Sequence, residues 1–207
     1  LSKFFNPSGS SYSYTKNNET NQVQYALSSD GLLEQFAYDG VNPILAQTWA
    51  MKPAEEIKSG HTYTIINAKT RNALDCAKNE LRAEVHNWSF YKNYVFQKWE
   101  VVSTSDGYMN FNVYPGSGNV FRLDIPNGGN VDDLMIFLYN PNTSDAQKYR
   151  LQRNSDGTFT ILTKCSNFTK CVDGQPGNTT SNANGVKIRQ CTYVPGDLGQ
   201  RWYFYEM

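Results

Sequence analysis

"GQRWYF", residues 199–204, carries a Gln-x-Trp step: Gln200, Arg201 and Trp202. The step occurs elsewhere as Gln47-Thr48-Trp49, Gln97-Lys98-Trp99 and Gln147-Lys148-Tyr149. Its four glutamines are separated by 50, 50 and 53 residues, and a fixed period of that size marks a repeated supersecondary unit. Each step continues with an apolar residue two places beyond the aromatic: Met51, Val101, Leu151 and Phe204. Side chains alternate along a strand, so Gln, aromatic and apolar residue share one inward face. Thr48, Lys98, Lys148 and Arg201 then face water, the pattern of a half-buried strand.

The units also open alike. Gly60 leads towards TYTII, Gly107 into YMNFNV and Gly157 into TFTIL, all β-rich alternating runs. Ser105-Asp106-Gly107 and Ser155-Asp156-Gly157 are turn signals between one unit and the next. The nearest approach to a helical period, KNELRAEVHNW (78–88), lies between two strand-like segments. The fold expected is therefore all-β. Three units of about 47 to 53 residues, together residues 58–207, would close into one barrel-like domain that hides its strand edges. In each, the aromatic supplies core volume, and the Gln amide satisfies backbone groups where strands turn.

Residues 1–57 hold the remaining step, Gln47-Thr48-Trp49. Gly9 stands 51 residues before Gly60, and Tyr12 and Tyr14 follow it much as Tyr63 and Ile65 follow Gly60. No Leu-Asp step appears near Tyr25, where the spacing expects one. This segment reads as a degenerate extra repeat: an added β-layer, the last unit of an upstream domain, or a partner-binding arm. Residues 52–56 are the expected linker.

Composition narrows the function. The 207 residues include nineteen basic and nineteen acidic side chains, a balance that points away from nucleic acid and anionic membrane surfaces. The longest apolar run, Leu134 to Tyr139, is too short to span a bilayer. Aromatic residues make up 14% and charged residues 18%, which suits an all-β domain that meets polar ligands through rings. The two histidines, His61 and His86, fall in no His-Glu-x-x-His step, and neither Gly-x-Ser-x-Gly nor a P-loop occurs. No enzyme activity and no cofactor are expected. Without a Cys-x-x-Cys step or a histidine at ligand spacing, no metal site is expected either. Four cysteines point to an oxidising compartment, hence a secreted protein.

The run KCVDGQPGNTTSNANGVKIRQCTYVPGDLGQRW, residues 170–202, resembles the ricin-type β-trefoil lectins with their Gln-x-Trp repeats. It has Cys-Val-Asp, a polar Gly/Asn-rich loop, an alternating strand, a second Cys and the closing Gln-x-Trp. Ala73-Leu74-Asp75 with Gln97-Lys98-Trp99, and Arg122-Leu123-Asp124 with Gln147-Lys148-Tyr149, extend the likeness to about 150 residues. The fold implied is a β-trefoil of three repeats preceded by a degenerate N-terminal extension. The implied function is binding of galactose-type or related sugars on cell-surface glycoconjugates, as a targeting part of a toxin or other secreted assembly. Cell-binding subunits of cytolethal distending toxins are similar in outline, although no subunit-specific motif is present. The alternative is a trefoil with eroded sugar sites that binds a protein partner, with residues 1–57 as a candidate contact.

In the family, an early Asp accepts hydrogen bonds from sugar hydroxyls, and an aromatic ring covers the sugar's apolar face. The resemblance assigns Asp75 and Trp88 to the first unit, with His86, Asn87 and Asn93 as polar helpers. It assigns Asp124 and Tyr139, with Asn142 nearby, to the second. In the third it assigns Asp173, with Arg189 where the aromatic is expected and Tyr193 as a substitute. An Asn often precedes the closing Gln in the family, whereas Phe96, Ala146 and Gly199 stand here. The family also commonly bridges the positions of Cys171 and Cys191, while Cys76 and Cys165 are expected as small buried residues.

Overall fold

The computed structural model describes residues 12–16, 23–28, 33–35, 51–78, 80–91, 94–113, 118–175 and 183–207. The chain divides into two compact units, Leu1–Pro53 and Ala54–Met207. In the first, β1 (Tyr12–Lys16), β2 (Val23–Ser28) and β3 (Leu33–Gln35) form an antiparallel meander in that order. A bulge falls between Thr15 and Lys16. Gln47, Thr48 and Trp49 lie outside the described residues.

The second unit runs through β4 (His61–Asn67), β5 (Ala73–Cys76), β6 (Val85–Trp88), β7 (Trp99–Ser103) and β8 (Met109–Val113). It continues with β9 (Phe121–Asp124), β10 (Leu134–Met135), β11 (Phe137–Tyr139), β12 (Tyr149–Arg153) and β13 (Phe159–Thr163). The last strands are β14 (Lys170–Asp173), β15 (Arg189–Thr192) and β16 (Trp202–Glu206). Every pairing is antiparallel. Six strands close a ring, β4-β7-β8-β12-β13-β16, and β16 returns to β4 from Trp202↔Asn67 to Glu206↔Tyr63. Closure leaves the ring without a free edge. Among the described residues, three hairpins lie outside the ring, β5–β6, β9–β11 and β14–β15, and β10 pairs with β15.

Alternation fills the barrel. Tyr63, Ile65, Trp99, Val101, Phe111, Val113, Tyr149, Ile161, Trp202 and Phe204 are fully buried, as period-2 patterning requires. Rings meet edge to face, with centroids 5.8 Å apart for Tyr63–Phe204 and 5.3 Å for Phe111–Tyr149, the arrangement that ring quadrupoles favour. The polar ends of the repeat aromatics are satisfied as well. Trp99 Nε1 donates to Leu74 O at 2.8 Å, Trp202 Nε1 to Val172 O at 3.1 Å, and Tyr149 Oη to Ala146 O at 3.4 Å. Lys98, Lys148 and Arg201 are half-buried rather than freely solvated. Lys148 and Arg201 pair with Asp106 and Asp156.

The turns read from Asp-Gly are built alike. Gly107 and Gly157 adopt φ of 82° and 80°, a conformation in which glycine pays no Cβ penalty. Their amides donate to Thr104 O and Asn154 O and so tighten the β7–β8 and β12–β13 connections. Within the segment nearest to a helical period, residues 81 and 82 form a turn and Val85–Trp88 form β6.

The repeated glutamines clamp the chain as it leaves each hairpin. Gln97 ends a 3-10 turn (Val95–Gln97), accepts from Tyr91 N at 2.9 Å and donates to Ser89 O at 2.8 Å. Gln147, ending Asp145–Gln147, accepts from Asn142 N and donates to Asn140 O, both at 2.9 Å. Gln200, ending Leu198–Gln200, accepts from Val194 N at 2.8 Å and donates to Thr192 O at 2.9 Å. All three side chains are buried, so Gln→Ala would leave two backbone groups unsatisfied at each site.

One expectation is corrected. Cys171 and Cys191 are free thiols, as are Cys76 and Cys165. The first two stand directly opposite on β14 and β15. Tyr193 N donates to Thr169 O two steps away, which makes Cys171–Cys191 a hydrogen-bonded pair of the ladder. The Cβ atoms of such a pair lie roughly 5.5 Å apart, whereas a disulfide spans about 3.5–4.5 Å. Burial pushes both thiols up, Cys191 to about 11. Cys76 is buried in the core and Cys165 is half-buried against it.

Candidate carbohydrate-binding sites

Each hairpin carries an aspartate near the end of its first strand, and the residue across the ladder differs at each. His86 faces Asp75, Phe137 faces Asp124, and Arg189 faces Asp173. Two places further along the second strand stand Trp88, Tyr139 and Cys191. Residues two apart on a strand share a face, so each aspartate sees both of these side chains.

At Asp124 the facing residue is apolar. Phe137 cannot hydrogen-bond the carboxylate, which takes its partner from the 3-10 turn that follows the hairpin: Gln147 Nε2 donates to Asp124 Oδ2 at 2.9 Å. Burial raises the Asp124 carboxyl above its ordinary value, and the bond from Gln147 works against that shift. Beside it opens a cleft of about 720 Å³ lined by Asp124, Phe137, Tyr139, Asn142, Arg82 and Cys165, among others. Phe137 and Tyr139 are half-exposed. The Asn142 side chain turns back to accept from Ser144 N at 2.9 Å and Ser144 Oγ at 2.6 Å, so Asn142 shapes the rim.

At Asp75 the facing residue is a donor. His86 Nε2 lies 2.9 Å from Asp75 Oδ1, and both side chains are buried. The His86 ring also stacks on Trp88, with centroids 5.2 Å apart. Asp75 Oδ2 is buried without a hydrogen-bond partner among the described residues. The resemblance assigned Asp75, Trp88 and His86 to a sugar. Here they bind one another, with Trp88 half-exposed. Asn87 is fully buried and its Nδ2 donates to Gly174 O. Asn93 lies outside the described residues.

Asp173 is committed to the backbone and to its glutamine. Gln175 N donates to Oδ1 at 2.8 Å, and Gln200 Nε2 donates to Oδ2 at 3.1 Å. Burial again raises this carboxyl, opposed by those two bonds. Arg189 stands opposite Asp173 in the ladder but binds Asp133, through Nε to Oδ1 at 3.2 Å and Nη1 to the backbone O at 2.7 Å. The ladder puts Cys191, rather than Arg189, at the position of Trp88 and Tyr139. Tyr193 Oη accepts from Gln152 Nε2 at 3.1 Å. Around Asp124 a carboxylate and a half-exposed tyrosine are brought together on one cleft.

Phe137 and Arg82 were not singled out from sequence. Phe137 was legible from alternation, being two places from Tyr139. Arg82 comes from the neighbouring hairpin, and no local pattern joins it to Asp124. Among the described residues, no group of three or more His, Cys, Asp or Glu side chains could hold a metal ion, and no helix is long and apolar enough to cross a membrane.

A closed six-stranded barrel with three hairpins, each bearing an aspartate and a glutamine clamp, is a β-trefoil of the lectin kind. The chain belongs to the ricin-type beta-trefoil lectin domain-like family, whose model matches residues 45–133 and 97–191. In fold it is similar to the designed 3-fold symmetric protein ThreeFoil, at 24% identity and a TM-score of 0.62, over 70% of this chain and 99% of that one. It is also similar to a mosquitocidal holotoxin, at 17% identity and a TM-score of 0.62, over 82% of this chain and 19% of the toxin. The ricin B-like lectin of Macrolepiota procera, solved in complex with lactose, is 16% identical with a TM-score of 0.58, over 73% of this chain and 99% of the lectin. No curated protein sequence matches the chain. Membership of a lectin-like family suggests carbohydrate binding rather than catalysis.

Proposed function

We propose that the chain is a glycan-binding module whose working site is the Asp124–Tyr139 cleft, and that it targets a secreted assembly such as a toxin to cell-surface glycoconjugates. The observation that carries this reading is the cleft itself. A buried carboxylate and a half-exposed aromatic ring line one cavity of about 720 Å³, the pairing that sugar hydroxyls and an apolar sugar face require. The ligand class proposed is galactose-type or related sugars. The fold is read as three repeats of about 50 residues with a degenerate N-terminal extension, residues 1–57, that is an extra repeat or a partner-binding arm. The chain acts by binding, without catalysis. Similarity to a ricin B-like lectin holding lactose and to a mosquitocidal holotoxin supports the reading at the level of fold.

A second reading has its own observation. Asp75 and Asp173 are both taken up by protein partners, as in a trefoil that has exchanged sugar sites for a protein-binding role. A glycan array separates the two. Binding that is lost in Asp124→Ala and kept in Asp75→Ala supports the lectin. An empty array, together with a stable protein partner recovered through residues 1–57, supports the interaction module and sinks the lectin.

A further inference from the structure

We propose that the Asp124 cleft prefers glycans bearing an anionic group, a carboxylate or a sulfate, and that Arg82 is the residue that recognises it. The proposal rests on the reading of this cleft as the sugar site. Arg82 lies in the loop between β5 and β6, not on the hairpin that carries Asp124 and Tyr139. Its backbone is nevertheless pinned to β11. Arg82 N donates to Leu138 O and Leu138 N donates to Ala83 O, both at 2.9 Å, and the pairing continues as a bridge between Glu84 and Phe137. These bonds hold Arg82 at φ 65°, a left-handed conformation that residues with side chains rarely adopt. The side chain is thereby placed on the wall of the cleft.

The charge around it is already sorted. Asp145, which also lines the cleft, is matched by Lys164 at 3.1 Å, and Lys164 and Lys148 both bind Asp106, at 3.1 and 2.8 Å. Arg122 is held outside the lining, donating to Asn112 and to Asn142 O. Arg82 is exposed and forms no ion pair or ring contact among the described residues. It is the only cation lining the cleft among them. A guanidinium presents paired donors that match a carboxylate or a sulfate. A neutral sugar leaves it hydrated, at no cost and with no gain. An anionic sugar adds a charge-assisted pair while Asp124 keeps the hydroxyls, so the two opposite charges also set the ligand's direction in the cleft.

Titration calorimetry of the full chain with lactose, sialyllactose and sulfated lactose tests this. The expected result is binding of at least one anionic sugar about tenfold tighter than lactose at low salt, with the preference shrinking as salt rises. In Arg82→Gln the ratio falls to about one, and in Arg82→Lys, which keeps the charge but loses the fork, part of it returns. A gain confined to sialyllactose or to the sulfated sugar identifies which anion is recognised. Equal affinity for all three sugars in the unaltered protein, or a preference that survives Arg82→Gln, overturns the proposal while leaving the lectin reading intact. Failure of the unaltered protein to bind any of the three overturns both.

Discussion

Asp124 and Asp75 occupy corresponding places on two hairpins, and one residue across the ladder separates their fates. Opposite Asp124 stands Phe137, which has no hydrogen to give, so the carboxylate is held only from the side by Gln147 and borders an open cleft. Opposite Asp75 stands His86, which bonds the carboxylate and lays its ring on Trp88. The Asp and the aromatic are present in both. Asp75 Oδ2 also lacks a donor among the described residues, so what the facing side chain decides is whether the space beside the carboxylate is filled by an imidazole ring or left open as a cleft.

The largest test of the contrast is to truncate each carboxylate in turn. Asp124→Ala removes the acceptor for the sugar hydroxyls and should weaken glycan binding by about 3 kcal/mol, roughly a hundredfold. Asp75→Ala should leave affinity unchanged and lower thermal stability instead, because it strands the buried His86 ring nitrogen. Calorimetry and thermal unfolding of both variants read the two effects separately. If both lose binding equally, the distinction between the hairpins collapses.

Exchanging the facing residues probes the same point from the other side. His86→Phe deprives Asp75 of its bond while Oδ2 is already buried and unpartnered, so it should cost about 2 kcal/mol of stability in denaturant unfolding. The reciprocal Phe137→His puts a ring nitrogen within reach of Asp124 and should reduce glycan affinity by competing for the carboxylate. A His86→Phe chain as stable as the original would show that His86 is not what holds Asp75.

How far the sequence foretold this differs between core and site. The 50-residue spacing of Gln-x-aromatic located Trp99, Tyr149 and Trp202, all fully buried, and the glutamines that clamp backbone groups beneath them. Those features depend on alternation along single strands, which a sequence displays directly. The fate of each aspartate depends instead on hairpin register. The facing residues lie 11, 13 and 16 positions after Asp75, Asp124 and Asp173, and the unequal loops hide the correspondence. The same holds for Cys171 and Cys191, which occupy positions the family commonly bridges but whose place in the ladder sets the Cβ atoms too far apart. Arg82 was least legible, because it reaches the cleft from another hairpin.

Tyr139 sharpens the comparison at smaller amplitude. It is half-exposed on the cleft wall, whereas Trp88 is covered on one face by His86. Tyr139→Ala should cost about 1 kcal/mol of binding, roughly fivefold, with little loss of stability. Trp88→Ala should leave binding unchanged. Equal losses from the two would mean that sugars use both hairpins.

The smallest effect is electrostatic. Burial raises the Asp124 carboxyl above its ordinary value, so the folded chain holds that proton at pH values where the unfolded chain has released it. The contribution of this group to stability is therefore full below the unfolded carboxylate value and is lost as pH rises through the raised folded value. Asp124→Asn keeps an oxygen to accept from Gln147 and has no charge to bury, so it should gain stability relative to the original chain as pH rises through that window. Denaturant unfolding of both chains at a series of pH values measures the difference, and a difference that does not change with pH would place the carboxylate in a more hydrated setting than the cleft wall provides. Glycan affinity should run the other way, improving as Asp124 ionises, because the carboxylate accepts from hydroxyls more strongly than the neutral acid does. That opposition ties the cost of burying Asp124 to the work proposed for it.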